Sequence, residues 1–161
     1  WLIGLSGAGK STVGRLLYQQ LKSRNKNLVY LDGDDLRRIW KDERDFTESK
    51  RAVNAHRISN LCKLLDSQGI HVIASVLSIF PEWQKWNREK FSNYFQVYLK
   101  VPIEIVKARD TKGLYSMKNG KDVVGIDIKF PEPYKSDLIL NSYGNNHPKS
   151  LVTQISNKIE L

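Results

Sequence analysis

The feature that most constrains the fold is the stretch GLSGAGKS, Gly4 to Ser11, which follows a short apolar run. It matches the phosphate-binding pattern G-x-x-x-x-G-K-[ST] at every fixed position, between a predicted strand and a predicted helix. Glycines let such a loop curl so that several main-chain N–H groups and the positive end of the next helix face phosphate oxygens. We therefore expect a nucleoside triphosphate site, in which Lys10 reaches the β- and γ-phosphates and the Ser11 hydroxyl binds Mg²⁺.

Strand-like apolar segments alternate with segments of helical period along the rest of the chain. Besides WLIGL, strands are predicted for LVYLD, IHVIASVL, FQVYLKV and DLILN. Helices are predicted after the glycine loop, from Thr47 to Gly69, and in EWQKWNREKF, PIEIVKARD and PKSLVTQISNKIEL. This alternation predicts an α/β fold of the P-loop NTPase type, with three layers α/β/α and a parallel sheet of about five strands. The length of 161 residues fits one kinase domain over residues 1–161.

One long segment, Thr111 to Ser136, fits neither a strand nor a helix. It is rich in lysine and glycine and ends in prolines. Loops of this length in compact domains are usually lids or binding loops. We therefore expect residues 111–136 to form a lid.

The net charge of +9 indicates an anionic partner, either a phosphorylated small molecule or nucleic acid, unless the basic residues only solvate the surface. The lysines are scattered and form no long basic block, which argues against nucleic acid. No apolar run approaches the roughly 20 residues of a membrane span, and no secretory signal pattern is visible. The single cysteine, Cys62, shares a helical face with apolar residues, so we expect a buried reduced thiol and a cytoplasmic protein.

Paired carboxylates follow the second predicted strand, in LDGDDLRR. The carboxyl ends of parallel strands line the ligand crevice of such folds, so Asp32 and Asp34 should face the triphosphate. One carboxylate would hold Mg²⁺ and the other would take the proton of an acceptor hydroxyl, and the sequence does not decide which is the base. The competing interpretation is a cap for a helix that begins near Leu36, and it is the favoured one for Asp35.

Three arginines are candidates for binding a second anion. Arg37 follows the carboxylate turn, and Arg51, Asn54 and Arg57 lie at spacings of three on one face of the long helix. A planar guanidinium binds phosphate or sulfate in a bidentate manner. From the residues alone, however, a solvated helix face is the favoured interpretation.

Taken together, these motifs resemble those of the adenylylsulfate kinase family over nearly the whole chain. GLSGAGKST and LDGDDLR match the family's first motifs, and DFTESKRAVNAHR resembles its F-S-x-x-D-R-x-x-N-I-R-R. ARDTKGLY and VVGIDIKFPEP resemble R-D-x-K-G-L-Y and F-T-G-I-D-x-P-Y-E-x-P, and the former match is the most discriminating. The family transfers the γ-phosphate of ATP to the ribose 3′-hydroxyl of adenosine 5′-phosphosulfate. The resemblance therefore implies a phosphotransferase that uses ATP and Mg²⁺ and acts on an alcohol group of a small nucleotide.

The resemblance also implies roles for individual residues. Catalysis is assigned to Lys10, Asp32 and Asp34, and Mg²⁺ binding to Ser11 and Asp32. The residues implied to bind ATP are Gly4, Ser6, Gly7, Ala8, Gly9, Lys10, Ser11, Thr12, Arg109 and Lys112. The residues implied to bind the acceptor are Asp34, Arg37, Phe46, Arg51, Asn54, Ser78, Lys112, Val123, Ile126 and Asp127. Among these, Phe46 would stack on the acceptor base, and Arg37, Arg51 and Asn54 would hold its 5′ anionic group, with Arg57 as support.

The departures from the family pattern lie around the acceptor. Val123 stands where the family has the lid phenylalanine, which removes one half of an aromatic sandwich. Base–aromatic stacking contributes roughly 1–3 kcal/mol, enough to change which base is preferred. SIFPEW replaces the family's S-P-Y-R, His56 replaces the first arginine of I-R-R, and Asp35 replaces the asparagine of D-G-D-N.

Nearby aromatic residues offer a replacement for the lost stacking. Phe80, Trp83 and Trp86 lie in the altered segment. Trp83 and Trp86 are three residues apart, and simple packing of one helix face is the favoured interpretation for them.

Because the ATP motifs are intact while the acceptor motifs differ, we expect the same reaction on a changed acceptor. One member of the wider family phosphorylates cytidine 5′-diphosphoramidate, a donor used to decorate bacterial capsule sugars, and a smaller pyrimidine suits a valine. We therefore favour a 3′-hydroxyl kinase for that compound, with adenylylsulfate kinase in sulfate activation as the alternative. A nucleic-acid end kinase and a non-catalytic nucleotide-binding module are less favoured. A homodimer is consistent with the family, and the sequence leaves the oligomeric state and the native N-terminus open.

Overall fold

A single five-stranded parallel sheet forms the centre of the chain. The computed structural model describes residues 1–41, 46–110, 113–116 and 122–159. The strands are β1 (Leu2–Ile3), β2 (Leu28–Asp32), β3 (His71–Val76), β4 (Val97–Lys100) and β5 (Leu138–Asn141). Their order across the sheet is β2-β3-β1-β4-β5, and every neighbouring pair is parallel. The predicted sheet is confirmed, and all five strands lie within the predicted segments.

Six helices connect and cover the strands within the described part of the chain. They are α1 (Lys10–Lys22), α2 (Gly33–Ile39), α3 (Glu48–Ser67), α4 (Pro81–Lys90), α5 (Ile103–Arg109) and α6 (Pro148–Ser156). The long helix begins after its cap residue Thr47 and ends just before Gly69, as its sequence pattern predicts. The short helix α2 begins at Gly33, earlier than the start near Leu36 that the sequence suggested.

The early start of α2 follows from its cap. The carboxylate of Asp32 accepts a hydrogen bond from the Asp34 main-chain N–H at 2.9 Å, which satisfies one of the N–H groups that a helix leaves unpaired at its start. The capping role expected of Asp35 therefore belongs to Asp32. Asp35 instead forms an ion pair with Arg38 and lies 3.8 Å from Arg15.

The helices lie on both faces of the sheet. On one face, α1 and α6 bury Val13, Leu17 and Ile155 in the larger apolar cluster. On the other face, α2 and α3 bury Leu36, Ile58 and Cys62 against β3. The chain therefore has the three-layer α/β/α architecture of P-loop kinases, as expected.

Cys62 is buried and in the reduced form, as predicted. Burial raises the pKa of its thiol to about 12, so the group carries no thiolate near neutral pH. Within the described residues, no helix combines the length and the apolar character that crossing a bilayer requires.

The topology brings three segments of interest to one edge of the sheet. Strand β1 is central and runs directly into the glycine loop, between β3 and β4. Strand β2 ends at Asp32, which lies opposite Ser75 of β3, and Ser78 follows the end of β3. Because all strands are parallel, these carboxyl ends share one edge, where ligands bind in open α/β sheets.

Candidate active site

The glycine loop has the curled main chain that its sequence predicts. Gly7 and Gly9 have φ values of 81° and 88°, in the left-handed region that glycine adopts without steric cost. Gly4 has no room for a side chain, because a Cβ there would lie 2.7 Å from the main-chain oxygen of Leu99. Ala8 is fully buried, and its N–H donates to the Leu5 carbonyl at 3.1 Å. The loop is therefore held by its own main chain and by close packing on β4.

Lys10 begins helix α1 and folds back over this loop. Its Nζ donates to the Leu5 carbonyl at 2.8 Å. Ser11 and Thr12 continue the first turn, with Ser11 half-buried and Thr12 exposed. The ammonium group and the N-terminal end of α1 thus lie on the same loop, which is the arrangement that phosphate binding requires.

The carboxylate of Asp32 is buried and held on both oxygens. Its side chain is 5% exposed; Oδ1 accepts from the Asp34 N–H, and Oδ2 accepts from the Tyr30 hydroxyl at 2.8 Å. The same hydroxyl lies 3.4 Å from the carbonyl oxygen of Ser11. Burial, together with hydrogen bonding to Asp32, raises the pKa of Tyr30 to about 12, so the phenol remains a donor near neutral pH.

Asp34 and Arg37 form an ion pair at the start of α2. Both side chains are partly exposed, at 39% for Asp34 and 22% for Arg37. An exposed pair of this kind contributes little to stability. Each member can therefore exchange its partner for a ligand at modest cost.

A small cavity of about 60 Å³ lies behind this pair, between α3, α4 and the end of β3. Four of the predicted acceptor residues line it, namely Arg37, Arg51, Asn54 and Ser78. Two further lining residues, Ser59 and Trp83, were not in that set. The structure therefore brings four of the predicted acceptor residues together in one place.

Polar atoms without partners line the same cavity. Asn54 is 6% exposed, and its Oδ1 is buried with no hydrogen-bond partner among the described residues. Ser59 is only 1% exposed, and its hydroxyl is also buried without a hydrogen-bond partner among the described residues. The same holds for the indole N–H of Trp1. Buried polar groups are nearly always satisfied by protein, water or ligand. These atoms therefore indicate a cavity that takes a polar occupant.

Arg51 connects this cavity to Phe46 and to the lid. Its Nε donates to the Phe46 carbonyl at 2.8 Å, and a terminal nitrogen donates to the Asp122 carbonyl at 2.9 Å. The guanidinium carbons of Arg51 and Arg37 each lie 5.5 Å from the centre of the Phe46 ring. Burial and the nearby Arg37 guanidinium lower the pKa of Arg51 from its usual value. A bound anion would relieve the repulsion between these two cations.

The first part of the lid contacts the glycine loop. The Tyr115 hydroxyl donates to the Ser6 carbonyl at 3.0 Å. Arg109, at the end of α5, donates to the Ser142 carbonyl at 2.9 Å and to the Gly7 carbonyl at 3.3 Å. This places Arg109 beside the loop, where the sequence predicts an ATP contact. Lys112, the other predicted lid cation, lies outside the described residues.

The second part of the lid is a tight turn over residues 122–128. Asp127 Oδ2 accepts from the Val123 N–H at 2.9 Å, and Val124 is buried. Val123 directly follows Asp122, whose main-chain carbonyl accepts from Arg51, so it is one residue along the chain from that contact. Ile126 and Asp127 instead line a separate open groove, and the structure does not bring them to the acceptor cavity.

Two aromatic features near the cavity involve His56 and the tryptophans of α4. His56 stacks on Trp83, with ring centres 5.0 Å apart and planes inclined by 28°. Trp83 packs edge-on against Trp86, which continues to Phe91 at 6.1 Å. Helix packing is thus confirmed for both tryptophans, and Trp83 additionally lines the cavity.

Ser78 has a main-chain conformation that a serine rarely adopts. Its φ is 53°, in the left-handed region, and its carbonyl accepts from Gln84 Nε2 at 2.9 Å. Such strain costs of order 1–3 kcal/mol and persists where surrounding contacts enforce it. The bond from α4 provides that enforcement and fixes Ser78 at the rim of the cavity.

Sequence reasoning overlooked Tyr30, although a signal was present. Successive side chains of a strand alternate between its two faces, so Tyr30 and Asp32 of β2 lie on the same face. That face packs against α1, which carries Ser11. The alternation therefore predicts that Tyr30 lies close to the aspartate and to the first turn of the helix.

The oxygen ligands near the glycine loop suit Mg²⁺. The Ser11 hydroxyl and the Asp32 and Asp34 carboxylates are hard oxygen donors, which this cation prefers. No cluster of three or more acidic, histidine or cysteine side chains that could hold a metal ion occurs within the described ranges. A site with few protein ligands fits Mg²⁺, which is commonly bound by one or two carboxylates together with the phosphates of a nucleotide.

Comparison with known proteins gives a consistent result. Residues 1–141 match the adenylylsulphate kinase family. The chain is 38% identical to the cytidine diphosphoramidate kinase of Campylobacter jejuni, over 100% of this chain and 95% of that protein. It is 35% identical to an adenylyl-sulfate kinase of Paraburkholderia xenovorans, over 88% of this chain and 82% of that protein.

The fold is shared with a solved kinase structure. The Mycobacterium tuberculosis APS kinase, solved in complex with AMPPNP and APS, superimposes with a TM-score of 0.83 and is 28% identical in sequence. The alignment covers 98% of this chain and 94% of that one.

Proposed function

The chain belongs to the adenylylsulfate kinase family and is a phosphotransferase with an alcohol group as acceptor, and we propose that it transfers the γ-phosphate of ATP to the ribose 3′-hydroxyl of cytidine 5′-diphosphoramidate. The observation that carries this proposal is the cavity at the arginine pair. It combines two guanidinium groups with unpartnered polar atoms, and it lies at the same sheet edge as the glycine loop.

The proposed donor site is the glycine loop with its flanking residues. The triphosphate of ATP lies along the loop N–H groups, and Lys10 and Arg109 neutralise its charge. Ser11 and Asp32 would hold Mg²⁺, which supplies further positive charge at the β- and γ-phosphates when bound. The APS kinase structure in complex with an ATP analogue supports this assignment.

The proposed acceptor site begins at the carboxylate turn and ends in the cavity. Arg37 and Arg51 bind the 5′ anionic group, because guanidinium forms paired hydrogen bonds with phosphate oxygens. Asn54 hydrogen-bonds to the same group, and Phe46 stacks on the base. This arrangement leaves the ribose 3′-hydroxyl near the aspartates, where a carboxylate can reach it.

The transfer itself consists of one bond formed and one broken. The 3′-oxygen bonds to the γ-phosphorus, the bond from that phosphorus to the bridging oxygen breaks, and ADP leaves with that oxygen. The proton of the 3′-hydroxyl passes to Asp32 or Asp34. Residues 1–161 act as one domain, and closure of the 111–136 lid excludes water that would otherwise accept the phosphoryl group.

The preference for a cytidine compound rests on two supports. The relative named for that substrate aligns with the entire chain. In addition, Val123, the residue after the Arg51 contact at Asp122, stands where the family has a phenylalanine. A pyrimidine needs less stacking surface than adenine, so the smaller side chain suits it.

Adenylylsulfate is the second candidate acceptor. The 35% identity to an adenylyl-sulfate kinase and the retained Phe46 favour it. Both acceptors carry a nucleoside and a two-part 5′ anion, so the same arginine pair serves either.

A coupled ADP-release assay with ATP tests the proposal. The acceptor panel is cytidine diphosphoramidate, adenylylsulfate, CMP, AMP and an oligonucleotide. We expect kcat/KM for cytidine diphosphoramidate to exceed that for adenylylsulfate at least tenfold, with the new phosphate on the 3′-oxygen by phosphorus NMR. The reverse ranking would transfer the proposal to adenylylsulfate, and an absence of ADP release with every acceptor would overturn it.

A further inference from the structure

We infer that Tyr30 is a positioning residue that sets the orientation of the Asp32 carboxylate relative to the first turn of α1. The observation is a pair of contacts made by one phenolic oxygen. It donates to Asp32 Oδ2 at 2.8 Å and lies 3.4 Å from the Ser11 carbonyl. One hydroxyl therefore connects the proposed catalytic carboxylate to the residue proposed to hold Mg²⁺.

The Tyr30 ring has little freedom to move. A Cβ on Gly14 would lie 2.6 Å from Tyr30 Cε2, so only a glycine lets the helix approach the ring this closely. The Tyr18 ring packs against the Tyr30 ring, with ring centres 6.3 Å apart. The position of the hydroxyl is thus determined by α1 itself.

A second hydroxyl strengthens the connection between the sheet and this helix turn. Ser75 lies opposite Asp32 in the sheet, and its Oγ donates to the Lys10 carbonyl at 3.1 Å. The carbonyl groups of Lys10 and Ser11 are therefore both approached by hydroxyls from adjacent strands. Helix α1 cannot shift relative to the strand ends without breaking these contacts.

Two hydrogen bonds fix the orientation of the Asp32 carboxylate, one on each oxygen. The Asp34 N–H fixes Oδ1, and the Tyr30 hydroxyl fixes Oδ2. Without the phenol, the carboxylate keeps its helix-capping bond but can rotate about it. Phosphoryl transfer relies on positioned groups, so rotation should lower the rate of transfer more than it lowers binding.

The variant Tyr30→Phe tests the inference, which rests on the role proposed for Asp32. Phenylalanine keeps the ring packing and removes only the hydroxyl. We expect kcat to fall about 10- to 100-fold, while KM for ATP and for the acceptor changes less than about threefold. The amide proton of Asp34 should also exchange faster, because its carboxylate partner is held at one point only.

The matched control is Tyr18→Phe, which removes a hydroxyl from the adjacent ring. We expect wild-type kcat and wild-type exchange at Asp34 for this variant. The inference is overturned if Tyr30→Phe retains wild-type kcat, or if its loss is shared by Tyr18→Phe and follows a drop in Tm. All rates are measured with the acceptor that the wild-type enzyme uses best. An inactive wild type would instead overturn the proposed function.

Discussion

The proposed nucleotide half of the site is formed by main chain, whereas the proposed acceptor half is formed mostly by side chains. The phosphate loop is formed by main chain, with glycines packed so closely that Gly4 has a carbonyl within 2.7 Å of where a Cβ would be. The proposed acceptor half is formed by side chains on α2 and α3, together with a main-chain carbonyl from the lid. Two guanidinium groups surround Phe46 there, and their partners are a carboxylate and main-chain carbonyls.

This difference explains where the sequence departs from the family pattern. A substitution in the loop would disturb the main chain that binds the phosphates, and all of the loop motif is intact. A substitution in the acceptor half changes a contact but leaves the fold in place. His56, Val123 and the residues around Trp83 are all of this second kind. Substitutions of this second kind are compatible with the proposed reaction on a changed acceptor.

The strongest test of the nucleotide half is Lys10→Ala. In the proposed mechanism Lys10 supplies charge to the transferred phosphate with every acceptor, so we expect kcat to fall at least about 10³-fold for all of them. Circular dichroism and Tm should show a retained fold. Lys22→Ala, at the exposed end of the same helix, is the control and should transfer phosphate normally. Substantial residual activity in Lys10→Ala would contradict the assignment.

The corresponding test of the acceptor half is Arg51→Ala. Hydrogen bonds to charged groups contribute about 1.5–3 kcal/mol, so kcat/KM for the acceptor should fall roughly 10- to 100-fold. The KM for ATP should remain nearly unchanged, since Arg51 contacts Phe46 and the lid rather than the loop. Arg38→Ala, with its exposed ion pair on α2, serves as the control. A change confined to the ATP KM would show that the two halves are divided differently.

The base preference is tested by Val123→Phe. Restoring the aromatic side chain that the family has at this position should shift the ratio of kcat/KM towards adenylylsulfate by about tenfold, the size of one stacking contact. The measurement is a competition between the two acceptors with ATP saturating. An unchanged ratio would mean that residue 123 does not contact the base.

The smallest expected effect is a difference in acceptor KM between variants of two neighbouring tryptophans. Trp83 lines the cavity and Trp86 only packs, so Trp83→Leu should raise the acceptor KM about threefold, whereas Trp86→Leu should not. Both variants should lose some stability in a denaturant titration. If both raise the acceptor KM equally, the effect comes from packing of α4.

Periodicity and motif spacing predicted most of the fold because strands and helices here carry unbroken apolar patterns. The start of α2 was misplaced, since the sequence LDGDD offers three possible capping aspartates and only packing selects Asp32. Four residues of the acceptor cavity were implied by the family resemblance, whereas the shared helix face of Arg51 and Asn54 alone favoured a solvated surface. The partner of Arg51 in the lid was not predictable, because Asp122 is 71 residues away and accepts the bond with its main-chain carbonyl.

The contact between His56 and Trp83 was also beyond sequence reasoning. These residues belong to α3 and α4, whose relative placement depends on how the two helices pack on each other. The sequence shows only that each residue departs from the family pattern.

A homodimer remains a prediction.

The two bonds accepted by Asp32 affect how mutagenesis of this enzyme should be interpreted. The Asp32 carboxylate caps the start of α2 and is also a candidate Mg²⁺ ligand or base, so alanine at this position removes the helix cap and the charge together. Asparagine retains an oxygen able to cap α2 while abolishing the charge. Because the amide offers one acceptor oxygen where the carboxylate offers two, the step from aspartate to asparagine measures the charge together with the bond from Tyr30, and the step from asparagine to alanine measures the helix start.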